Sequence, residues 1–138
     1  MNCAAIAASL MVVSISASAF AGKDDRDYMT GEVLPAAKSA EAKWKKSCGC
    51  TLAITIDQTT LKSKADMPSA RNFCNTLAEE IPKYCVDDAS KKAVCQMKTL
   101  TIKKADDVAF TFNGGNGVAT VYGITAPSWD MVIHVLDK

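Results

Sequence analysis

Two cysteines separated by one glycine, Cys48 and Cys50, form the most suggestive chemical motif of the chain. Such a pair of thiols can exchange disulfides or bind a soft ion such as Cu(I), because thiolates are soft ligands and the glycine lets the backbone bend. Lys45 and Lys46 add positive charge, but they end a predicted helix, whose C-terminal dipole disfavours a thiolate. We therefore expect each cysteine to form a disulfide with a distant partner. Thiol-redox or copper-handling chemistry at Cys48-Gly49-Cys50 is the alternative.

The spacing of the cysteines restricts which disulfides can form. The chain has six cysteines, and those that follow residue 21 are Cys48, Cys50, Cys74, Cys85 and Cys95. In an extended strand, Cys48 and Cys50 would point to one side with Cα atoms about 6.6 Å apart, so we expect no bond between them. Cys74 is expected to pair with Cys48 or Cys50, and Cys85 with Cys95. The remaining member of the Cys48/Cys50 pair would be an odd thiol, free to link two chains in a disulfide-linked dimer.

The other chemistry-bearing residues form no catalytic or metal-binding set in the sequence. His134 is the only histidine, and it lies four residues after Asp130, with no nucleophile turn of the G-x-S-x-G type anywhere. The glycine-rich stretch 113–117 precedes a predicted strand rather than a helix, so it predicts a hairpin turn and not a phosphate-binding loop. The acidic doublets at 79–80, 87–88 and 106–107 lack EF-hand spacing. We expect no catalytic activity, no cofactor and no metal.

The first 21 residues have the pattern of an export signal. They carry no charged side chain, residues 4–13 are mostly apolar, and Ala19-Phe20-Ala21 matches the A-x-A cleavage pattern. Cleavage after Ala21 predicts an exported protein, periplasmic or secreted, without a stable membrane anchor and in a compartment where cysteines pair. Retention of the segment as an anchor is the alternative, because about 20 uncharged residues can span a bilayer.

Apolar periodicity predicts a single α+β domain over 35–138, preceded by a flexible leader over 22–34. Helices are predicted over 35–46, 67–80 and 87–94, the second beginning after a cap at Asp66 and ending at Pro82. Strands are predicted over 50–57, 98–104, 108–113 and 118–124. Residues 128–138 fit a helix capped by Ser128 or a buried strand, and we favour the helix. The predicted fold is a four-stranded, largely antiparallel sheet, one strand followed by a three-strand meander, with helices packed on one face and disulfides stabilising it.

These features predict a small exported noncatalytic domain that binds a protein or ligand partner, as an inhibitor, an immunity-type protein or an envelope accessory protein. A protein partner is expected. The net charge of +1, from 16 basic and 15 acidic residues, gives no reason to expect nucleic acid. Aromatic residues beside a projecting loop are common anchors. We expect the binding surface at Asn113, Gly114, Gly115, Asn116, Gly117, Tyr122 and Trp129.

Overall fold

The structure, a computed structural model, describes residues 22–138. This part of the chain begins with a long helical segment. It consists of α1 (Lys23–Tyr28), a π-helical turn (Met29–Val33) and α2 (Leu34–Cys48). The flexible leader predicted over 22–34 is wrong, because Met29 and Val33 are fully buried. Their spacing of four residues places both on the helix face that packs on the core. The predicted signal peptide, 1–21, lies outside the described residues.

The remaining elements follow the predicted order. They are β1 (Ala53–Ile56), α3 (Met67–Tyr84), α4 (Asp88–Val94), β2 (Thr99–Lys104), β3 (Ala109–Asn113), β4 (Asn116–Val121) and α5 (Trp129–Leu136). The helix favoured for the tail is confirmed, and the Ser128 hydroxyl caps it by accepting a hydrogen bond from the Met131 N–H at 3.2 Å.

The predicted end of the second long helix is wrong. α3 continues through Pro82 to Tyr84. A proline removes one helical hydrogen bond, yet both sides of this one are held by tertiary contacts. Ile81 is fully buried before it, and Cys85 is tied by a disulfide after it.

The sheet has the strand order β1-β2-β4-β3 and is mixed. β1 pairs with β2 in parallel, β2 pairs with β4 in parallel, and only β3 and β4 form an antiparallel hairpin. The α+β class is confirmed, but the largely antiparallel sheet and its meander are wrong. α3 and α4 lie between β1 and β2 in the chain and provide the long crossover that parallel pairing needs. β4 then lies between β2 and β3, so consecutive strands β2 and β3 are not neighbours.

One face of the sheet packs against the helices and forms the core. Leu100 and Ile102 of β2 are buried on this face, while the alternating positions of the strand are half-buried. In β4 the core-facing residues are Ala119 and Val121. Alternation over 118–124 in the sequence favours Val118, Thr120, Tyr122 and Ile124 as the buried face of this strand, and that expectation is wrong.

Gly117 of β4 lies in tight contact with Met97 and with Phe110 of β3. The hairpin turn itself is confirmed as Gly114-Gly115, both with positive φ, as a two-residue hairpin turn requires. Gly117 lies beyond the turn, inside β4. A Cβ at this position would overlap Met97 Sδ and lie 3.0 Å from the Phe110 ring, both in the buried core.

Gly117→Ala is expected to lower the free energy of unfolding by about 1–3 kcal/mol, because the added methyl group overpacks a filled site. Urea unfolding followed by circular dichroism measures this loss. Gly31→Ala is the matched control, since Gly31 is helical and nothing lies within 4 Å of its added Cβ. We expect that control to gain about 0.5–1 kcal/mol, because alanine loses less backbone entropy than glycine in a helix. Equal effects of the two substitutions would contradict the close approach at Gly117.

Candidate functional site

The cysteine motif is divided between two disulfides. Cys48 bonds to Cys85 and Cys50 bonds to Cys95, with Cα separations of 5.2 and 6.0 Å. The expectation that Cys48 and Cys50 do not bond to each other is confirmed, but the predicted partners are wrong, and so is the odd thiol within this pair. Cys48 is the last residue of α2, and Gly49 follows it in the left-handed conformation. The two cysteines therefore do not share a strand, and their sulfur atoms reach different partners.

Cys74 is the free thiol of the described chain, not a member of the Cys48/Cys50 pair. Its side chain faces the core from the middle of α3 and has no exposed surface. Burial, with a smaller contribution from the Glu41 carboxylate, raises its pKa to about 12. A disulfide-linked dimer through the odd cysteine thus lacks an exposed thiol in residues 22–138. The Cys48-Gly49-Cys50 motif likewise has both sulfur atoms bonded elsewhere.

The residues predicted to form a binding surface do not come together. Asn113, Gly114, Gly115, Asn116 and Gly117 lie at the end of the sheet where β4 begins, and Tyr122 follows its other end. A six-residue strand of about 20 Å separates these positions. Trp129 is only 2% exposed. Tyr122, which is 46% exposed, is the member of the set with a large accessible aromatic surface.

Trp129 belongs to the core and forms the floor of a surface groove. Its ring stacks on Phe73 of α3, with ring centroids 4.4 Å apart. Its indole N–H donates a hydrogen bond to the Phe73 carbonyl oxygen at 2.9 Å. The two aromatic residues therefore hold the start of α5 against the middle of α3.

The groove lies between α3 and the segment 124–130. It encloses about 280 Å³. Asn72, Thr76 and Glu80 follow one another at helical spacing along the α3 wall, which extends the groove by about 12 Å. The full lining consists of Ser69, Asn72, Phe73, Thr76, Glu80, Ile124, Ala126, Pro127, Ser128, Trp129 and Asp130.

The groove has carboxylates and an exposed apolar side chain. Glu80 and Asp130 are its charged residues, and no lysine or arginine occurs among the groove residues just named. The Tyr84 hydroxyl donates a hydrogen bond to the Asp130 carboxylate, which, with burial and the charges of Asp130 and Glu80, raises the pKa of the tyrosine. Ile124 is 81% exposed at the opposite wall. A negative site next to apolar surface is complementary to a cation carried on an apolar chain.

A second set of contacts anchors the wall that carries Ile124. The Asp66 carboxylate accepts a hydrogen bond from the Gly123 N–H at 3.3 Å and pairs with the Lys104 ammonium at 2.9 Å. The hydrogen bond to Asp66 raises the pKa of Lys104. Asp66 is the residue before α3, as predicted, but its side chain makes these contacts instead of capping the helix. Ile124 therefore comes directly after a residue, Gly123, whose backbone is anchored by Asp66.

Sequence reasoning missed this groove because its two walls are about 50 residues apart in the chain. In the sequence, Glu80 belongs to an acidic doublet and Asp130 lies four residues before His134, and neither feature indicates the other. The available signal was the polar stripe of Asn72, Thr76 and Glu80 beside the apolar stripe of α3. That stripe does not say which segment lies opposite.

Between residues 22 and 138, no helix has the length and apolar character needed to cross a membrane. The same residues contain no cluster of three or more histidine, cysteine, aspartate or glutamate side chains suited to a metal ion. The two disulfides are compatible with an exported protein.

No protein-family model matches the chain, and searches of the curated proteins and of the solved structures find no match.

Proposed function

We propose that this chain is an exported noncatalytic domain that binds a protein partner in the groove between α3 and residues 124–130. The partner would insert a lysine or arginine side chain between Glu80 and Asp130 and place an apolar side chain against Ile124. The observation that carries the proposal is the combination of two carboxylates, no cation and a strongly exposed isoleucine in one concave site.

The size of the groove favours protein side chains over a free small molecule. Pockets that enclose small ligands measure roughly 300–1,000 Å³ and cover most of the ligand. This groove has about 280 Å³ and is open along its length. It has room for one or two side chains of a larger partner, whose remaining surface would rest on the rim.

The rigidity of the walls also supports binding. Tyr84 fixes the Asp130 carboxylate by its hydrogen bond, and Asp66 fixes the chain just before Ile124. The Cys48–Cys85 disulfide holds the end of α3 next to Tyr84. A preorganised site loses less conformational entropy on binding, so a small contact area can give specific recognition.

The experiment compares capture of a partner by the wild-type domain and by Glu80→Lys. Proteins from the envelope and medium of the producing organism are passed over each immobilised variant, and the captured partner is quantified. In parallel, the immobilised domain is titrated with two synthetic peptides, Gly-Leu-Arg-Leu-Gly and Gly-Leu-Glu-Leu-Gly. Of the two peptides, we expect only the arginine peptide to bind. Glu80→Lys should weaken the binding of this peptide and of the captured partner at least tenfold.

Glu79→Lys is the matched control, because it makes the same charge change one residue away on the exposed side of α3. It should leave both interactions within twofold of wild type. Equal loss in the two variants would indicate a general effect of charge and would contradict the groove. Full retention of the captured partner by Glu80→Lys would also overturn the proposal.

A further inference from the structure

The two edge strands of the sheet differ in how their outward backbone groups are satisfied. At the two ends of β1, the N–H groups of Ala53 and Asp57 donate to the carbonyls of Lys98 and Ile102, so the N–H of Ile54 points away from the sheet. The Glu41 carboxylate of α2 accepts a hydrogen bond from this N–H at 2.7 Å. A charged side chain placed on an edge in this way blocks the addition of another strand.

β3, the opposite edge, packs against α5, but no charged side chain of the described residues binds its outward backbone groups. Because Asn113 and Asn116 flank the two-residue turn, Thr111 forms the next hydrogen-bonded pair with Val118 of β4. The N–H and C=O groups of Phe110 and Phe112 therefore point outward, and no described residue donates to or accepts from them. The strand sequence Ala-Phe-Thr-Phe-Asn contains no charge and no proline. It is an open, apolar edge that can accept a strand.

We propose that two copies of this chain associate by pairing their β3 strands antiparallel about a two-fold axis at Thr111, which joins their sheets into one of eight strands. In this register Phe110 of each copy lies opposite Phe112 of the other. Both residues have their backbone groups directed outward, so the two copies form four hydrogen bonds with no group left over. The interface is self-complementary, as a two-fold contact requires.

The side chains fit the same register. Phe110 and Phe112 lie on the core side of the strand, and Phe112 is only half-buried in the single chain. Phe110 is already buried in its own core, whereas side chains on newly paired strands cover one another, so the second copy's strand would cover the half-buried Phe112. Thr111 is exposed on the other face of the sheet, where the two threonines would meet across the axis.

Charge favours the antiparallel arrangement over a parallel one. Asp106 and Asp107 precede β3, and parallel pairing would place the acidic residues of the two copies side by side. Antiparallel pairing separates them and brings Asp107 near the Gly114-Gly115 turn of the second copy. Lys98 packs against this turn, with its Cγ 3.5 Å from the position of a Gly115 Cβ. The acids of one copy thus approach a lysine of the other, which selects the orientation.

The test is a charge exchange at the two-fold axis, measured by sedimentation velocity over 1–300 µM at about 0.15 M salt. The wild-type protein is expected to change from monomer to dimer as its concentration rises. Thr111→Glu and Thr111→Lys each place like charges opposite one another and should raise the dissociation constant at least tenfold. Their equimolar mixture should restore association, because the charges at the axis are then opposite. Thr55→Glu, an exposed threonine on the other edge strand, is the control and should associate as wild type does.

Amide hydrogen exchange gives an independent readout that does not depend on a variant. The N–H groups of Phe110 and Phe112 should exchange more slowly at 300 µM than at 1 µM, while that of Ile54 should not change. A wild-type protein that stays monomeric at 300 µM would overturn the proposal. So would a charge-exchanged mixture that stays monomeric, or a Thr55→Glu variant that dissociates as readily as Thr111→Glu. The groove binding proposed above involves other residues, so either proposal can fail without the other.

Discussion

A variant that lacks both disulfides, with Cys48, Cys50, Cys85 and Cys95 replaced by alanine, is expected to be largely unfolded at 25 °C. With Cys50–Cys95 in place, the loop that Cys48–Cys85 closes has about 12 residues, so removing Cys48–Cys85 alone costs about 3 kcal/mol. Removing the second disulfide then opens a loop of sequence separation 45. That step costs about 4 kcal/mol more, and the total is comparable to the whole stability of a typical domain.

Urea unfolding under non-reducing conditions measures both steps. Cys74→Ala is the control, because it removes a buried sulfur atom without removing a cross-link. We expect it to cost about 1 kcal/mol, as for the loss of one small buried group. If the Cys48→Ala/Cys85→Ala variant lost no more than this control, the cross-link would contribute nothing beyond packing.

A tryptic map without reduction tests the connectivity itself. Peptide 47–62 contains Cys48 and Cys50, so it should appear joined to both 84–91 and 93–98, while 72–83 carries the free thiol of Cys74. Fragmentation at Gly49 then separates the two bonds. A species that joins 47–62 to 72–83, with 84–91 joined to 93–98, would instead support the pairing expected from sequence.

The sequence predicted the elements of this fold better than their arrangement. Alternation of apolar residues identified β2 and β3, because a half-buried strand repeats every two residues. It could not show that β4 lies between them, since alternation records which face is buried and not which strand is the neighbour. Nor could it show that Gly117 and Ala119 of β4 face the core, since the room available at Gly117 is set by Met97 and Phe110 from other parts of the chain.

The candidate site was harder to predict than the fold for a physical reason. Its carboxylates come from different parts of the chain, Glu80 from α3 and Asp130 from α5, and their proximity depends on the packing of Trp129 against Phe73. The cysteine pairing failed similarly. The expected contact between Cys74 and the Cys48/Cys50 pair rested on Cys74 facing the core from α3, which it does, but Cys48 and Cys50 bond to Cys85 and Cys95 instead. Local patterns carry no information on such long-range packing.

Trp129→Ala is expected to lower the free energy of unfolding by about 3–5 kcal/mol, since it removes a large buried ring that stacks on Phe73. Trp129→Phe keeps an aromatic ring but leaves the Phe73 carbonyl without the indole hydrogen bond, so a smaller loss of about 1–3 kcal/mol is expected. Tyr122→Ala is the control among the aromatic residues first assigned to one surface, and as a surface substitution it should stay within about 0.5 kcal/mol of wild type.

Urea unfolding of the three variants, followed by circular dichroism, provides the comparison. A Trp129→Ala variant as stable as Tyr122→Ala would mean that Trp129 is a surface anchor, as its sequence context suggested. With the expected order of losses, Trp129 is a core residue that supports the groove from below. Weak partner binding by a Trp129 variant would then report a distorted floor, because the walls that carry Glu80 and Ile124 are held at their separation by this ring. Substitution of Glu80, at the rim, changes the charge of the groove without removing that support.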